Sequence, residues 1–335
     1  MKILCIGDPH LRATHLKDGI DLLRWIESVV RDVKPDLVVN LGDSLDSHSV
    51  IRSEVICELS RHLEILTNDI GVPVVLVLGN HDQYKPNDAK YHALEVFKHR
   101  KLVTVVDKPV VIDGIGYVPY LCTGMAWPSI DAKLVFTHNT FLGANYGFKL
   151  ANDGVVLPMV SDDGIRQDII VSGHIHLRQI LETSNGTSVI YPGTPRAISS
   201  SDAGQSKGLM LIDSDTYETQ FIESPFPIWR AIEHTVGDDL VINNKDHWVV
   251  TLVGTRSEIK AFLEDKSTQV LKQTHSVTFK TAPVDTIKST KIRIQAPTVE
   301  AMVDKYVDVV YKGNQDRAAL KVTLGKFIEE ARKDG

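Results

Sequence analysis

Cysteine is scarce in this chain: three residues in 335, Cys5, Cys57 and Cys122, with no CxxC pair. So few and odd a set excludes a disulfide framework and a thiolate-bound structural zinc, and fits free thiols in a reducing compartment. Tryptophan is also sparse, at four. Long apolar runs are missing altogether. No stretch approaches the ~18 residues that a membrane-spanning helix needs, and the short apolar start ends in Asp8, which reads as a first strand and not a signal peptide. A basic excess is missing too. The 37 Lys+Arg stand against 43 Asp+Glu, for a net charge of −6. Taken alone, that balance argues against a nucleic-acid partner, because phosphate binding ordinarily leaves a basic footprint. A sum hides where the charges sit, however, and ignores any bound metal.

What remains is ordinary globular composition, 43% hydrophobic and 24% charged, in a length that suits two domains. The first 120 residues alternate apolar strands (2–7, 36–41, 72–78) with amphipathic helices (18–33, 50–66). That rhythm reads as βαβ units on a largely parallel sheet. From 102 to 223 come short candidate strands at 102–106, 110–112, 117–120, 133–136, 168–171, 179–182, 188–191, 209–213 and 219–223, with turns rich in Gly, Asn, Asp and Pro. They imply a second, mixed sheet packed on the first. Two prolines in 224–227 mark the expected domain boundary. Beyond it, 248–253, 257–263 and 276–280 read as strand, helix and strand. Apolar residues at helical spacing fill 299–310 and 320–331.

Five turns carry hard-metal ligands. They are Gly7-Asp8-Pro9-His10, Gly42-Asp43-Ser44-Leu45-Asp46, Gly79-Asn80-His81-Asp82, Thr137-His138-Asn139 and Gly173-His174-Ile175-His176. Each follows an apolar strand, so each presents side chains at one sheet edge, where sites of open α/β sheets sit. Carboxylate, imidazole and amide oxygen together suit Mn²⁺, Fe²⁺ or Zn²⁺.

The ordered set GDxH, GDxxD, GNHD, an isolated His and GHxH resembles the calcineurin-type metallophosphoesterases. His10-Leu11, the run Tyr191-Pro192-Gly193-Thr194-Pro195, then Ser199 and Lys207-Gly208, are similar to the SbcD-type DNA repair nucleases, which include phage recombination exonuclease subunits. The resemblance covers residues 1–223 and implies a four-layer αββα metallophosphoesterase sandwich with a small α+β cap and C-terminal helices. It divides the chain into a nuclease domain (1–225), a DNA-positioning cap (226–282), a linker (283–297) and a partner-binding helical segment (298–335). By the same resemblance, Asp8, His10 and His176 would hold one divalent ion and Asn80, His138 and His174 the other, with Asp43 between them. Mn²⁺ is the expected metal, with Mg²⁺ or Fe²⁺ as alternatives. Two such ions screen the phosphodiester charge and supply a hydroxide nucleophile.

His81 would then be the general acid, with the Asp46 carboxylate pairing its imidazole. His48, Arg12, His15 and Arg196 are candidates to meet substrate phosphates, and Asp82 reads as a turn-stabilising acid. His62, His92, His99, His234, His247 and His275 have no motif around them and read as packing or solvated residues. The expected activity is a metal-dependent DNA exonuclease and endonuclease subunit. It would work as a homodimer with two SbcC-type coiled-coil ATPase subunits, in a bacterial or phage-infected bacterial cytosol. The C-terminal helices either dock on that ATPase or close the core of the second domain. The rival readings are a phosphatase or cyclic-nucleotide phosphodiesterase on the same site, and a non-catalytic scaffold. Two departures stand out: Arg12 occupies a place where many relatives have Gly, and SbcD-like chains are often longer.

Overall fold

The computed structural model describes residues 1–284 apart from 49, 86–87, 122–124, 148–149, 152–153, 156, 158–166 and 184, and beyond them 316, 318, 320–324 and 326. Residues 1–284 form one compact unit and 285–335 another. The linker and the partner-binding segment expected at 283–335 lie almost wholly outside the described residues; those that are described at 318, 320–324 and 326 are helical.

The chain opens with β1 (Lys2–Ile6), α1 (Leu16–Val33), β2 (Leu37–Asn40), α2 (Ser53–Glu64, prolonged by a π turn at Ile65–Ile70) and β3 (Val74–Val77). Helix α1 stops where Lys34 turns left-handed and its N–H donates to the Val30 carbonyl; Pro35 then bars continuation. A polar hairpin, β4 (Gln83–Lys85) and β5 (Asp88–His92), leads to β6 (Val103–Val106). Next come β7 (Val110–Ile112), β8 (Ile115–Val118), β9 (Leu134–Thr137), β10 (Ile169–Ser172), β11 (Gln179–Glu182) and β12 (Ser188–Tyr191). Strands β13 (Gly208–Asp213) and β14 (Thr219–Glu223) follow.

Two six-stranded sheets result, in the orders β14-β13-β1-β2-β3-β6 and β11-β12-β10-β9-β8-β7. The central strands are parallel in both: β1-β2-β3-β6 in the first and β8-β9-β10-β12 in the second. Three strands expected in the second sheet, at 102–106, 209–213 and 219–223, belong to the first. Strand β6 pairs parallel with β3, and β13 returns antiparallel onto β1. Apolar periodicity reports burial and not the pairing partner, so sheet membership was not readable there.

Side-chain alternation explains the layers. Leu4, Ile6, Val38 and Leu76 face α1 and α2, while Ile3, Cys5, Val39, Val75 and Val77 face the second sheet. Tyr117, Phe136, Val171 and Ile190 answer from that sheet. Its outer face, with Val118, Val135, Ile170 and Val189, is covered among the described residues by irregular segments carrying Trp127, Phe141 and Ala151. This is the mixed α/β sandwich that the motif resemblance implies.

At the expected boundary, Phe226 packs edge-on against Trp25 of α1, 5.7 Å between ring centres. Then β15 (Trp229–Thr235), β16 (His247–Gly254) and β17 (Val277–Pro283) form a three-stranded parallel sheet. Between β16 and β17 lie α3 (Arg256–Glu264) and α4 (Lys266–Thr274). Thr255 and Glu258 cap α3 reciprocally, each accepting from the other's backbone N–H. Trp248, Val250, Leu252 and Ile259 give this sheet a small core of its own.

The inter-sheet layer carries most of the apolar burial that joins the two sheets. Phe136→Ala should therefore cost about 3–5 kcal/mol, the usual range for a fully buried aromatic. Denaturant unfolding measures it, and a loss below about 1 kcal/mol would mean that the two sheets are not held together there.

Candidate metal centre

Both sheets deliver their parallel strand ends to one edge. From the first come Asp8 and His10 after β1, Asp43 and Asp46 after β2, and Asn80 and His81 after β3. From the second come His138 after β9, and His174 and His176 after β10. Direct bonds close the two sheets at this edge. His138 Nδ1 donates to the Leu41 carbonyl at 2.7 Å, and the Tyr120 N–H donates to the Leu78 carbonyl at 2.8 Å. The backbones approach so closely that a Cβ on Gly79 would stand 2.2 Å from the Asp43 carboxylate and amide. Four of the expected ligands, Asp8, His10, Asp43 and His174, adopt positive φ (21°, 45°, 47° and 75°). Such conformations are unfavourable for non-glycine residues and gather where a site over-determines the backbone.

Two clusters of ligand atoms stand side by side. Asp8, His10 and His176 make one; Asp43, His138 and His174 make the other. In the first, His10 Nε2 and His176 Nε2 are 3.2 Å apart. Asp8 Oδ1 accepts from the His174 backbone N–H, while its Oδ2 is buried with no partner among the described residues. In the second, Asn80 Oδ1 lies 2.8 Å from His174 Nδ1 and 3.1 Å from His138 Nε2. Asp43 stands between the clusters, its Oδ2 3.3 Å from His138 Nε2 and 3.7 Å from His10 Nε2. Its Oδ1 accepts from the His81 N–H at 2.8 Å. Imidazole nitrogens converging at 3.2 Å, with an orphaned carboxylate oxygen and an amide oxygen aimed at the same space, fit hard divalent cations. Because His138 Nδ1 is spent on a carbonyl, its Nε2 points inward, the usual arrangement of a ligating histidine.

The charges respond to this crowding. Burial alone would raise the Asp43 carboxyl, but the His138 charge overrides it and holds Asp43 well below the usual carboxylate range. Burial also opposes a charge on His138, yet Asp43 prevails and pushes its imidazole up to about 9. His174 goes the other way, to about 3, under burial and the His138 charge. Burial likewise lowers His176. On His10 burial is outweighed by the Asp46 hydrogen bond and the Asp43 charge, so it is raised. Asp82, buried, is lifted to about 7 by desolvation and by Asp43; its carboxylate accepts from the Leu45 and Gly79 N–H groups and ties two ligand turns together.

The surroundings of His81 differ from expectation. Its Nδ1 donates to the backbone carbonyl of Asp46 at 2.9 Å. The Asp46 carboxylate instead faces His10 Nδ1 at 3.2 Å, and that close contact lowers the Asp46 carboxyl. The His81–Asp46 link thus runs through the main chain, since the turn after β2 aims the carboxylate back toward the first cluster. His48 stacks on His81, 4.4 Å between ring centres, and donates from Nδ1 to the Asn80 carbonyl at 2.9 Å. His15 is exposed and faces Asp18 at 3.5 Å. Arg12 is half-buried and Arg196 buried.

Three contributors had no role assigned from the sequence, although Lys207 lay within a recognised motif. Tyr120 lies beside His174, 5.6 Å between ring centres. Buried Lys207 donates to the His176 carbonyl at 2.9 Å, and Asp202 accepts from the same ammonium at 2.9 Å. The position of Tyr120 at a strand end, and Lys207 beside Gly208, were the available signals. A further cluster, His92, Glu95 and Asp107, is bridged by Lys98 at 2.6 and 2.7 Å and is an ion-pair network.

A family model described as calcineurin-like phosphoesterase matches residues 1–178. The chain belongs to that family. Its members are hydrolases of phosphoester bonds that use a dimetal site, and the clusters above could bind metal ions. Over 351 aligned positions the chain is 22% identical to "Exonuclease subunit 1" of Enterobacteria phage T4, covering 99% of each. Among solved structures it is similar to GAP50, the anchor in the inner membrane complex of Plasmodium. That match has TM-score 0.39 and 12% identity, over 67% of this chain and 89% of that one. A phosphatase of Mycoplasma pneumoniae gives TM-score 0.36 and 12% identity, over 67% and 95%. No helix among the described residues is long and apolar enough to cross a membrane.

Metal binding must displace the proton that His138 holds up to about 9. Below that pH the proton competes with the cation, so apparent affinity rises with pH and binding releases protons. Calorimetry with Mn²⁺ in buffers of different ionisation heat should show both between about pH 6.5 and about pH 8.5. An affinity that is flat over that range would contradict the placement of His138.

Proposed function

We propose that this chain is the nuclease subunit of a DNA-processing complex, cleaving phosphodiester bonds with two divalent ions, Mn²⁺ foremost. The observation that carries the reading is the pair of ligand clusters sharing Asp43, with His81 fixed beside them. Likeness to a phage exonuclease subunit along nearly the whole of both chains supports DNA as substrate and an assembly as the working form.

When bound, two divalent ions would neutralise the phosphate charge and activate water for in-line attack. Asp8, His10 and His176 would hold one, Asn80, His138 and His174 the other, and Asp43 both. The rest is the work of the chain. His81, oriented by the Asp46 carbonyl and braced by the His48 ring, keeps its Nε2 free for the substrate. In the doubly protonated imidazolium, with Nδ1–H held by that carbonyl, Nε2–H would donate its proton to the oxygen that leaves, or a hydrogen bond to the phosphate. Asp82 and Lys207 keep the ligand turns still.

The three-stranded sheet with α3 and α4 would be the cap that places DNA, and 298–335 the segment that meets a coiled-coil ATPase. The assembly would be a homodimer of this chain with two ATPase subunits, in a bacterial or phage-infected bacterial cytosol. Weak DNA affinity is expected of a chain with net charge −6, so the partner supplies much of the grip.

The test is Mn²⁺-dependent cleavage of linear duplex DNA, with and without a candidate coiled-coil ATPase. His81→Ala should slow it by roughly a hundredfold or more, as loss of a general acid does, while Mn²⁺ binding persists. Hydrolysis of bis-p-nitrophenyl phosphate without DNA cleavage, even with the partner, would overturn the nuclease reading in favour of a small-ester phosphodiesterase.

A further inference from the structure

Beside the metal centre, two cationic groups are left without acceptors. Arg196 lies in the loop after β12 with only 7% of its surface exposed. Its Nε and Nη2 are buried and have no hydrogen-bond partner among the described residues. Arg12, two residues past His10, has a buried Nε in the same condition. The two guanidiniums lie close enough to oppose each other's charge, and both are within electrostatic reach of Asp46. Asp18 also acts on Arg196. These carboxylates offset part of the charge from a distance. They supply no acceptor, however, because Asp46 faces His10 and Asp18 faces His15. A guanidinium stays charged at any ordinary pH, and a buried charged donor left unmatched is costly. Two such donors within reach of each other's charge call for an anion.

Their mounting shows where that anion would lie. The loop bearing Arg196 is pressed against the first ligand turn: a Cβ on Gly7 would stand 2.2 Å from the Gly193 carbonyl oxygen. The Thr194 N–H donates to the His176 carbonyl at 3.3 Å, the same carbonyl that Lys207 holds. Arg196 therefore rides on the backbone that fixes His176, and Arg12 on the turn that fixes His10. Those two imidazoles face each other at 3.2 Å. On the Arg12 side an open groove of about 240 Å³ is lined by Leu11, Arg12, Asp46, Ser47 and Arg52 among others.

We propose that Arg12 and Arg196 form a second phosphate subsite, on the Asp8–His10–His176 side of the centre. It takes the phosphodiester of the nucleotide next to the scissile one. The inference rests on the nuclease reading and deepens it. Guanidiniums bind phosphate oxygens through paired N–H donors. A small ester with one phosphate reaches the metal centre alone and leaves the subsite empty, whereas a polynucleotide fills both. The subsite thus makes the centre read a chain and not an isolated phosphoester.

The test compares wild type, Arg196→Gln and Arg12→Gln in Mn²⁺ on single-stranded oligonucleotide and on bis-p-nitrophenyl phosphate. For each variant, kcat/KM on the oligonucleotide should fall at least tenfold more than on the small ester. Arg196→Lys, which keeps the charge and loses the fork, should recover only part. In parallel, inorganic phosphate should raise the Tm of the metal-free, chelator-treated wild type and not of Arg196→Gln. Equal falls on both substrates, or an unchanged oligonucleotide rate, would overturn the subsite. If Arg196→Gln does not fold, Arg12→Gln carries both comparisons. If the wild type, even with the partner, hydrolyses the ester and never the oligonucleotide, the nuclease reading has failed. The phosphate shift then decides the subsite: a shift lost in the variant supports it, and no shift in the wild type overturns it.

Discussion

Asp43 is a carboxylate withdrawn from water and surrounded by imidazoles. With His138 at 3.3 Å and His10 at 3.7 Å, its charge favours the protonated imidazole in one residue of each ligand cluster. The carboxylate stays ionised because His138 is charged, and His138 holds its proton because Asp43 is ionised. Two metal ions would take over the role that this proton plays. The rest of the arrangement follows from holding one carboxylate between two sheets. A glycine at 79 leaves room for it, the His81 N–H binds its free oxygen, and Asp82 ties down the turns on either side.

The fold supplies this position because both sheets are parallel at their centres. Parallel strands end together, so β1, β2 and β3 set their turns at the same edge as β9 and β10. The inter-sheet core of Cys5, Val39, Val77 and Phe136 runs directly beneath. Burial there fixes the distance between the sheets, and the His138–Leu41 bond fixes their register at the site. The positive φ angles at four ligand residues are sustained by that surrounding structure.

The motif turns were legible because their chemistry is local: a glycine, a ligand and a preceding apolar run can be read together at 7–10, 42–46, 79–82 and 173–176. What escaped was long-range or orientational. The assignment of β6, β13 and β14 to the first sheet depends on pairing, which apolar periodicity does not encode. Strand β15 went unread because it is polar and only partly buried, with no apolar run. At Asp46 the residue was noticed but not how the turn divides it: its carbonyl meets His81 and its carboxylate faces His10 at 3.2 Å. Arg12 and Arg196 stood out as charges near motifs. That their N–H groups are buried without acceptors is a property of the packed loops alone.

The central claim is that the two clusters act as one centre bridged by Asp43. Electron paramagnetic resonance of the Mn²⁺-loaded protein tests it most directly. The account predicts two ions per chain with the signature of spin coupling, and loss of that coupling in Asp43→Asn. A single ion per chain, or two uncoupled ions in the wild type, would contradict it.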